Sequence, residues 1–129
     1  MRILVTGSRD WPMAGDKPLV IFRYLDTFNR NIREVIELWH GDCPVGGVDA
    51  LAAAYGHGAG WLVRPFPPKP AEGRTTIYPR DYAVRNQLMV DGRPNIVLAF
   101  FLHGAKNKGT RMTLDMAIAA NLPYEEIWA

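Results

Sequence analysis

The chain has 129 residues, 48% of them apolar and 22% charged, with a formal net charge of +2. That length predicts one domain around one core, and so small a net charge argues against a general polyanion-coating role. The single cysteine, Cys43, excludes an intrachain disulfide framework and fits a reducing, cytoplasmic location. The apolar start is too short for a signal peptide, and no run approaches membrane-spanning length.

Ile3 to Thr6 is a short β-branched run closed by Gly7-Ser8-Arg9, which predicts a buried first strand. After a loop through Trp11, Pro12 and Gly15, Asp16 or Lys17 caps a helix with Pro18 in its first turn. Ile21, Leu25, Phe28 and Ile32 give that helix one apolar stripe. Glu34 to Trp39 alternates as a second strand and ends in His40-Gly41-Asp42-Cys43-Pro44. Gly46-Gly47 opens the next helix, where Val48, Leu51, Ala52 and Tyr55 share a face, and Gly56, Gly58 and Gly60 end it. Trp61 to Arg64 is a third strand. The stretch from Pro65 to Pro79 holds five prolines and little periodicity, and reads as a long functional loop. A helix is expected over Asp81 to Val90, with Val84 and Leu88 toward the core. Asn95 to Leu102 is a nearly all-apolar fourth strand of central type. It runs into the glycine-bracketed basic turn Gly104-Ala105-Lys106-Asn107-Lys108-Gly109, and a helix follows from Thr110 to Asn121. Leu122-Pro123 breaks that helix, and Tyr124 to Trp128 is a last short strand or tail.

Strands alternating with helices predict a three-layer, Rossmann-like α/β fold whose mainly parallel sheet has about five strands. Ligands of such sheets bind beyond the carboxyl ends of the strands, where the strand order reverses. The turns at Gly7, Gly41 and Gly109 all follow strands, so all three open on one edge and define one candidate site.

The chemistry at that edge suits an anion. Gly7, Ser8 and Arg9 offer backbone amides, a hydroxyl and a guanidinium. Gly104, Lys108, Gly109 and Thr110 place bare N–H groups, a cation and a helix N-terminus at the other turn. Trp11 either stacks on a base or plugs the sheet edge. Asp42 or Asp49 is placed to accept a hydrogen bond from a ribose hydroxyl or a loop amide. Metal binding is disfavoured, since neither C-x-x-C nor H-x-x-x-H spacing is present. Arg85-Asn86 is a polar pair flanked by apolar residues: either Arg85 snorkels to solvent in a structural role, which the pair alone favours, or, sharing helical spacing with Tyr82 and Met89, it faces the same site with Tyr82. The basic loop with Lys69, Arg74 and Arg80 is either a lid or a solvated excursion, and His103 either contacts ligand or is a solvated loop residue.

Four segments occur in a suggestive order: Gly-Ser-Arg-Asp-Trp at 7–11, His-Gly-Asp-Cys-Pro-Val-Gly-Gly-Val-Asp-Ala-Leu-Ala at 40–52, Arg-Asn-Gln-Leu-Met at 85–89, and Leu-Ala-Phe at 98–100 followed by Lys-Gly-Thr at 108–110. Together they resemble the YspA-like (YAcAr) branch of the SLOG superfamily, bacterial and phage proteins grouped with Smf (DprA) and the Lonely Guy phosphoribohydrolases. The resemblance implies a Rossmann-like sheet binding a nucleotide or nucleotide-derived ligand, with contacts at Gly7, Ser8, Arg9, Gly41, Asp49, Arg85, Asn86, Gly109 and Thr110. It also implies a homo-oligomer. The Lonely Guy pattern Pro-Gly-Gly-x-Gly-Thr with following glutamates is replaced here by a longer, more basic turn, and the nearest following carboxylate is Asp115.

The sequence therefore predicts a nucleotide-binding domain spanning 1–129, acting as a sensor, a sequestering protein or a weak hydrolase, with no cofactor. An N-glycosidic or phosphate-bond hydrolase is the enzymatic alternative, with Asp42, Asp49 and Arg85 as catalytic candidates. A third alternative is a DNA-processing accessory protein, which the small net charge disfavours.

Overall fold

A computed structural model describes residues 1–129. Its elements run β1 (Arg2–Gly7), α1 (Lys17–Asn31), β2 (Glu37–His40), α2 (Gly47–Gly58), β3 (Leu62–Pro65), α3 (Pro79–Asp91), β4 (Ile96–Phe101), α4 (Lys108–Ala119) and β5 (Tyr124–Trp128). The five strands form one sheet in the order β3-β2-β1-β4-β5, and every neighbouring pair is parallel. Strand order reverses between β1 and β4, whose register pairs Val5 with Leu98 and Gly7 with Phe100. The switch point therefore lies directly beyond Gly7 and Phe101.

Parallel strands are buried on both faces, so their sequences need not alternate. Ile3, Leu4, Val5, Val97, Leu98, Ala99 and Phe100 are fully buried. One core layer lies under α1 and α2 and joins Ile21, Leu25, Val48 and Leu51 to Val5 and Phe100. A smaller layer lies under α3 and α4 and joins Met89, Val90 and Ala117 to Leu4 and Val97. The C-terminal segment, read as strand or tail, is a strand because it pairs with β4 along its whole length.

Three local expectations are corrected. β2 begins at Glu37 rather than Glu34, since the ladder with β1 opens only at the Arg2–Glu37 pair. α4 begins at Lys108, so Gly109 and Thr110 lie inside its first turn. On α3, Val84 and Leu88 face solvent, at 61% and 59% exposure, and the inward face is Asp81, Asn86, Met89 and Val90. The apolar stripe misleads there because α3 turns polar residues inward, toward the sheet edge.

The Pro-rich loop between β3 and α3 is pinned at both ends. Phe66 donates its N–H to His40 O at 2.8 Å and packs its ring on Trp39. At the far end Asp81 accepts from Tyr78 N at 2.7 Å and from Arg74 Nη2 at 2.8 Å, and these two donors hold its carboxyl below the usual range. Arg74 is thus a structural tie, while Lys69 and Arg80 are exposed.

Candidate functional site

The carboxyl ends of β1, β2 and β4 open into one cleft of about 400 Å³. Its walls come from the β1 turn, the β2–α2 turn, the inward face of α3 and the first turns of α4, with Pro68 from the Pro-rich loop. The three glycine turns do converge there, but they are built for different purposes.

The β1 turn and the N-terminus of α2 seal each other. Val48 N donates to Ser8 O at 3.2 Å, and Gly47 N points at the Met13 sulfur at 3.3 Å. Gly47 has φ +74, and a Cβ there would lie 2.6 Å from Ser8 O and 2.7 Å from Arg9 Cα. Gly7 is equally constrained, since its Cβ would meet Val48 at 2.4 Å. Ser8 is buried, and its hydroxyl accepts the Asp10 N–H at 3.1 Å, whereas Arg9 is exposed on the rim.

The Gly41 turn is filled from behind by charge. A Cβ on Gly41 would sit 2.8 Å from Arg85 Nη1 and 3.1 Å from Asp49 Oδ2. Arg85 donates Nη1 to Gly41 O and to Phe66 O (2.8 Å) and donates Nε to Asn86 Oδ1 at 2.8 Å. Burial lowers the Arg85 pKa, and the nearby Asp49 opposes that shift. Asp49 Oδ2 accepts from Cys43 N at 3.2 Å, so its first role is the loop-amide clip. Burial pushes the Asp49 carboxyl up to about 6, against the pull of Arg85 and the loop amides. Asp42 is exposed, with φ 53, and its N–H donates to His40 Nδ1 at 3.0 Å. Burial lowers the His40 pKa, which suits a neutral ring accepting at Nδ1.

The α4 turn is the open one. The helix cap, Asn107, has φ 53 and makes no side-chain cap bond. Its carboxamide turns back instead, accepting from Leu102 N at 3.0 Å and donating to Leu102 O at 2.9 Å and Ala105 O at 3.1 Å. The first helix N–H with a backbone partner is that of Arg111, to Asn107 O. The N–H groups of Lys108, Gly109 and Thr110 are thus left at the cleft, at the positive end of the helix dipole. Lys106 and Lys108 are exposed beside them. Asn107 escaped the sequence reading, although an Asn between two lysines after a glycine is a left-handed turn signal. Asn107→Ala loses three hydrogen bonds and replaces the side chain that best tolerates the left-handed region with one that tolerates it less well. The fold is expected to lose about 1–3 kcal/mol, measurable as a shifted urea midpoint.

Of the residues singled out from sequence, Gly7, Ser8, Arg9, Gly41, Asp42, Asp49, Tyr82, Arg85, Asn86, Lys108, Gly109 and Thr110 all line this cleft. Tyr82 is 42% exposed at the cleft, with Arg85 Cζ over its ring at 5.6 Å. Trp11 is a correction. It is 2% exposed, stands edge-on to Phe100 and donates Nε1 to Lys17 O at 3.0 Å, so it plugs the core and cannot stack on a ligand. Gly104, with φ +84, shapes the turn but lies outside the cleft, as does His103, whose ring packs on Trp128. The cleft also uses Thr6, Met89, Lys106, Met112 and Thr113, which the sequence reading did not single out for the site.

Fold and cleft define a Rossmann-like α/β protein with a ligand-sized site at the switch point of its sheet. No family model and no curated protein matches the chain. Among solved structures it is similar to the X-ray structure of TM1055, a structural genomics target, with a TM-score of 0.67 at 16% identity. That likeness covers 95% of this chain and 71% of the other, and it shows the shared fold. No helix is long and apolar enough to cross a membrane.

Proposed function

We propose that the cleft binds a phosphorylated, nucleotide-derived small molecule, with its phosphate on the first turn of α4. The observation that carries this reading is the set of three unpartnered N–H groups at Lys108, Gly109 and Thr110, in a cleft that Arg9, Lys106 and Lys108 also line. Backbone N–H groups at a helix start, together with nearby cations, form an anion site. The fold supports the choice of ligand, because open parallel sheets bind nucleotides at this edge. The four motif segments agree with a place in the SLOG superfamily, in its YspA-like branch. A sensor or sequestering role fits a site rich in anion donors.

One observation favours hydrolysis as a second reading. Asp49, with its carboxyl near 6, can hold or release a proton close to neutrality, beside the Arg85 guanidinium. Cleavage of an N-glycosidic or phosphate bond is the reaction class it suits. Self-association through exposed aromatics such as Tyr124 and Trp128 accompanies the proposal.

The test is mass spectrometry of small molecules released from the denatured protein, followed by calorimetry with the ligands found and with AMP and ADP-ribose. Lys108→Ala and Arg9→Ala are each expected to weaken binding about ten-fold, the value of one charge-assisted contact. Undiminished binding in both variants would place the phosphate elsewhere. Product formation lost in Asp49→Asn would decide for the hydrolase.

A further inference from the structure

The floor of the cleft carries polar side chains besides the backbone N–H groups of the anion turn. Thr6, Asn86 and Thr110 are 9%, 5% and 3% exposed, and all three line the cleft. The Thr113 hydroxyl is spent on Gly109 O at 3.1 Å, but those of Thr6 and Thr110 make no hydrogen bond within the protein.

Asn86 is the most constrained of the set. Its Oδ1 accepts the Arg85 Nε–H, and Arg85 is itself held by Gly41 O and Phe66 O. A flipped amide would set two donors against each other, so the Asn86 NH₂ group must face away from Arg85. What it meets there is the Met112 sulfur at 3.7 Å, a weak acceptor. Buried polar groups are rarely left without a proper partner, because each such loss costs about 1–3 kcal/mol.

Charge is arranged the opposite way. Arg9, Lys106 and Lys108 are all exposed at the rim, as are Asp10 and Asp42, and the inner charges are Arg85 and Asp49 behind the Gly41 turn. Thr6, Asn86 and Thr110, in contrast, are uncharged and share the cleft with Met89 and Met112. Thioether side chains make favourable contacts with aromatic rings.

We infer that the floor is a nucleobase subsite, in which Asn86 Nδ2 donates to a ring nitrogen or carbonyl of the base and Arg85 acts as a positioning residue that fixes the amide. The ligand then lies with its base inward and its phosphate outward. This assignment rests on the proposed anion site only for the direction of the ligand. Asn86→Asp keeps the acceptor for Arg85 but turns the inward donor into an acceptor, and Asn86→Leu removes both. Arg85→Lys keeps a cation but not the fork that orients the amide.

Calorimetry with AMP, GMP, CMP, UMP, ribose phosphate and the four free nucleosides tests it. At least one nucleotide should bind ten-fold or more tightly than ribose phosphate to the unmodified protein. Asn86→Leu, which adds no charge, should abolish that preference while leaving ribose phosphate affinity unchanged, and Asn86→Asp should abolish it on top of an equal weakening of all phosphate ligands by its added charge, with folding verified by thermal melts. Arg85→Lys should shrink the same preference, an effect that simple loss of stability does not produce. Nucleotides and ribose phosphate binding alike to the unmodified protein, or a preference untouched in both Asn86 variants, overturns the base subsite and leaves the anion site standing. Nucleosides binding as tightly as nucleotides overturns the anion site and leaves the base subsite. No binding by any of these probes overturns both.

Discussion

Gly109→Ala is expected to leave the fold at least as stable as before and to weaken phosphate-ligand binding by ten-fold to a hundred-fold. Gly109 has an ordinary helical backbone, and a Cβ there would meet nothing within 4 Å. Local geometry therefore gives no reason for glycine, while helix propensity disfavours it by up to about 1 kcal/mol relative to alanine. A ligand approaching the N–H groups of α4 gives a reason, because a methyl group would hold it off the backbone. Losing good contact with one or two donors to a charged group costs about 1.5–3 kcal/mol, which sets the expected loss of affinity. The control is Gly47→Ala, where the new Cβ strikes the Ser8 and Arg9 backbone from a left-handed conformation. That variant should lose about 2–4 kcal/mol of stability, since neither strand end nor helix start can move away. Thermal melts and calorimetry on both variants check the pair. A Gly109→Ala protein that binds normally would remove the phosphate from this turn.

The second large effect is a pH-dependent gain in stability on replacing Asp49. The carboxyl titrates near 6 in the folded protein, against 3.8 for the ordinary group, because burial disfavours its charge. The folded protein thus retains a proton that the unfolded chain gives up, so stability falls as pH rises through this window and stays reduced above it. Asp49→Asn keeps an oxygen to accept the Cys43 N–H and removes the titration. Below about pH 4 the two proteins should be equally stable, and above about pH 7 the variant should lead by roughly 2–3 kcal/mol. At this chain length that is about 5–10 °C in melting temperature. Equal melting curves at every pH would mean that Asp49 titrates as an ordinary carboxylate. A carboxyl kept at such a cost to stability is characteristic of a functional site.

The sequence alone determined the order of elements, the parallel sheet and the edge on which the site opens. Those features follow from local rules. Apolar runs of strand length, helical stripes and glycines after strands each act within a few residues, and strict alternation of strand and helix leaves little choice of topology. The same logic placed Arg9, Lys108, Gly109 and Thr110 at one edge, whereas Arg85 and Asn86 on α3 were brought there by the resemblance and not by any local rule. What needed the tertiary structure was the direction and partnership of side chains. Trp11 went into the core because Phe100 and the Lys17 carbonyl offered it a buried partner, a choice its own sequence neighbours do not encode. Val84 and Leu88 turned outward because α3 spends its inner face on Asn86, Met89 and Asp81. Of three similar glycine turns, only packing decided that one is sealed by α2, one is filled by Arg85 and Asp49, and one is left open. Which hydrogen-bonding groups find partners depends on residues far apart in the chain, and so the binding capacity of the cleft was settled only when the chain closed on itself.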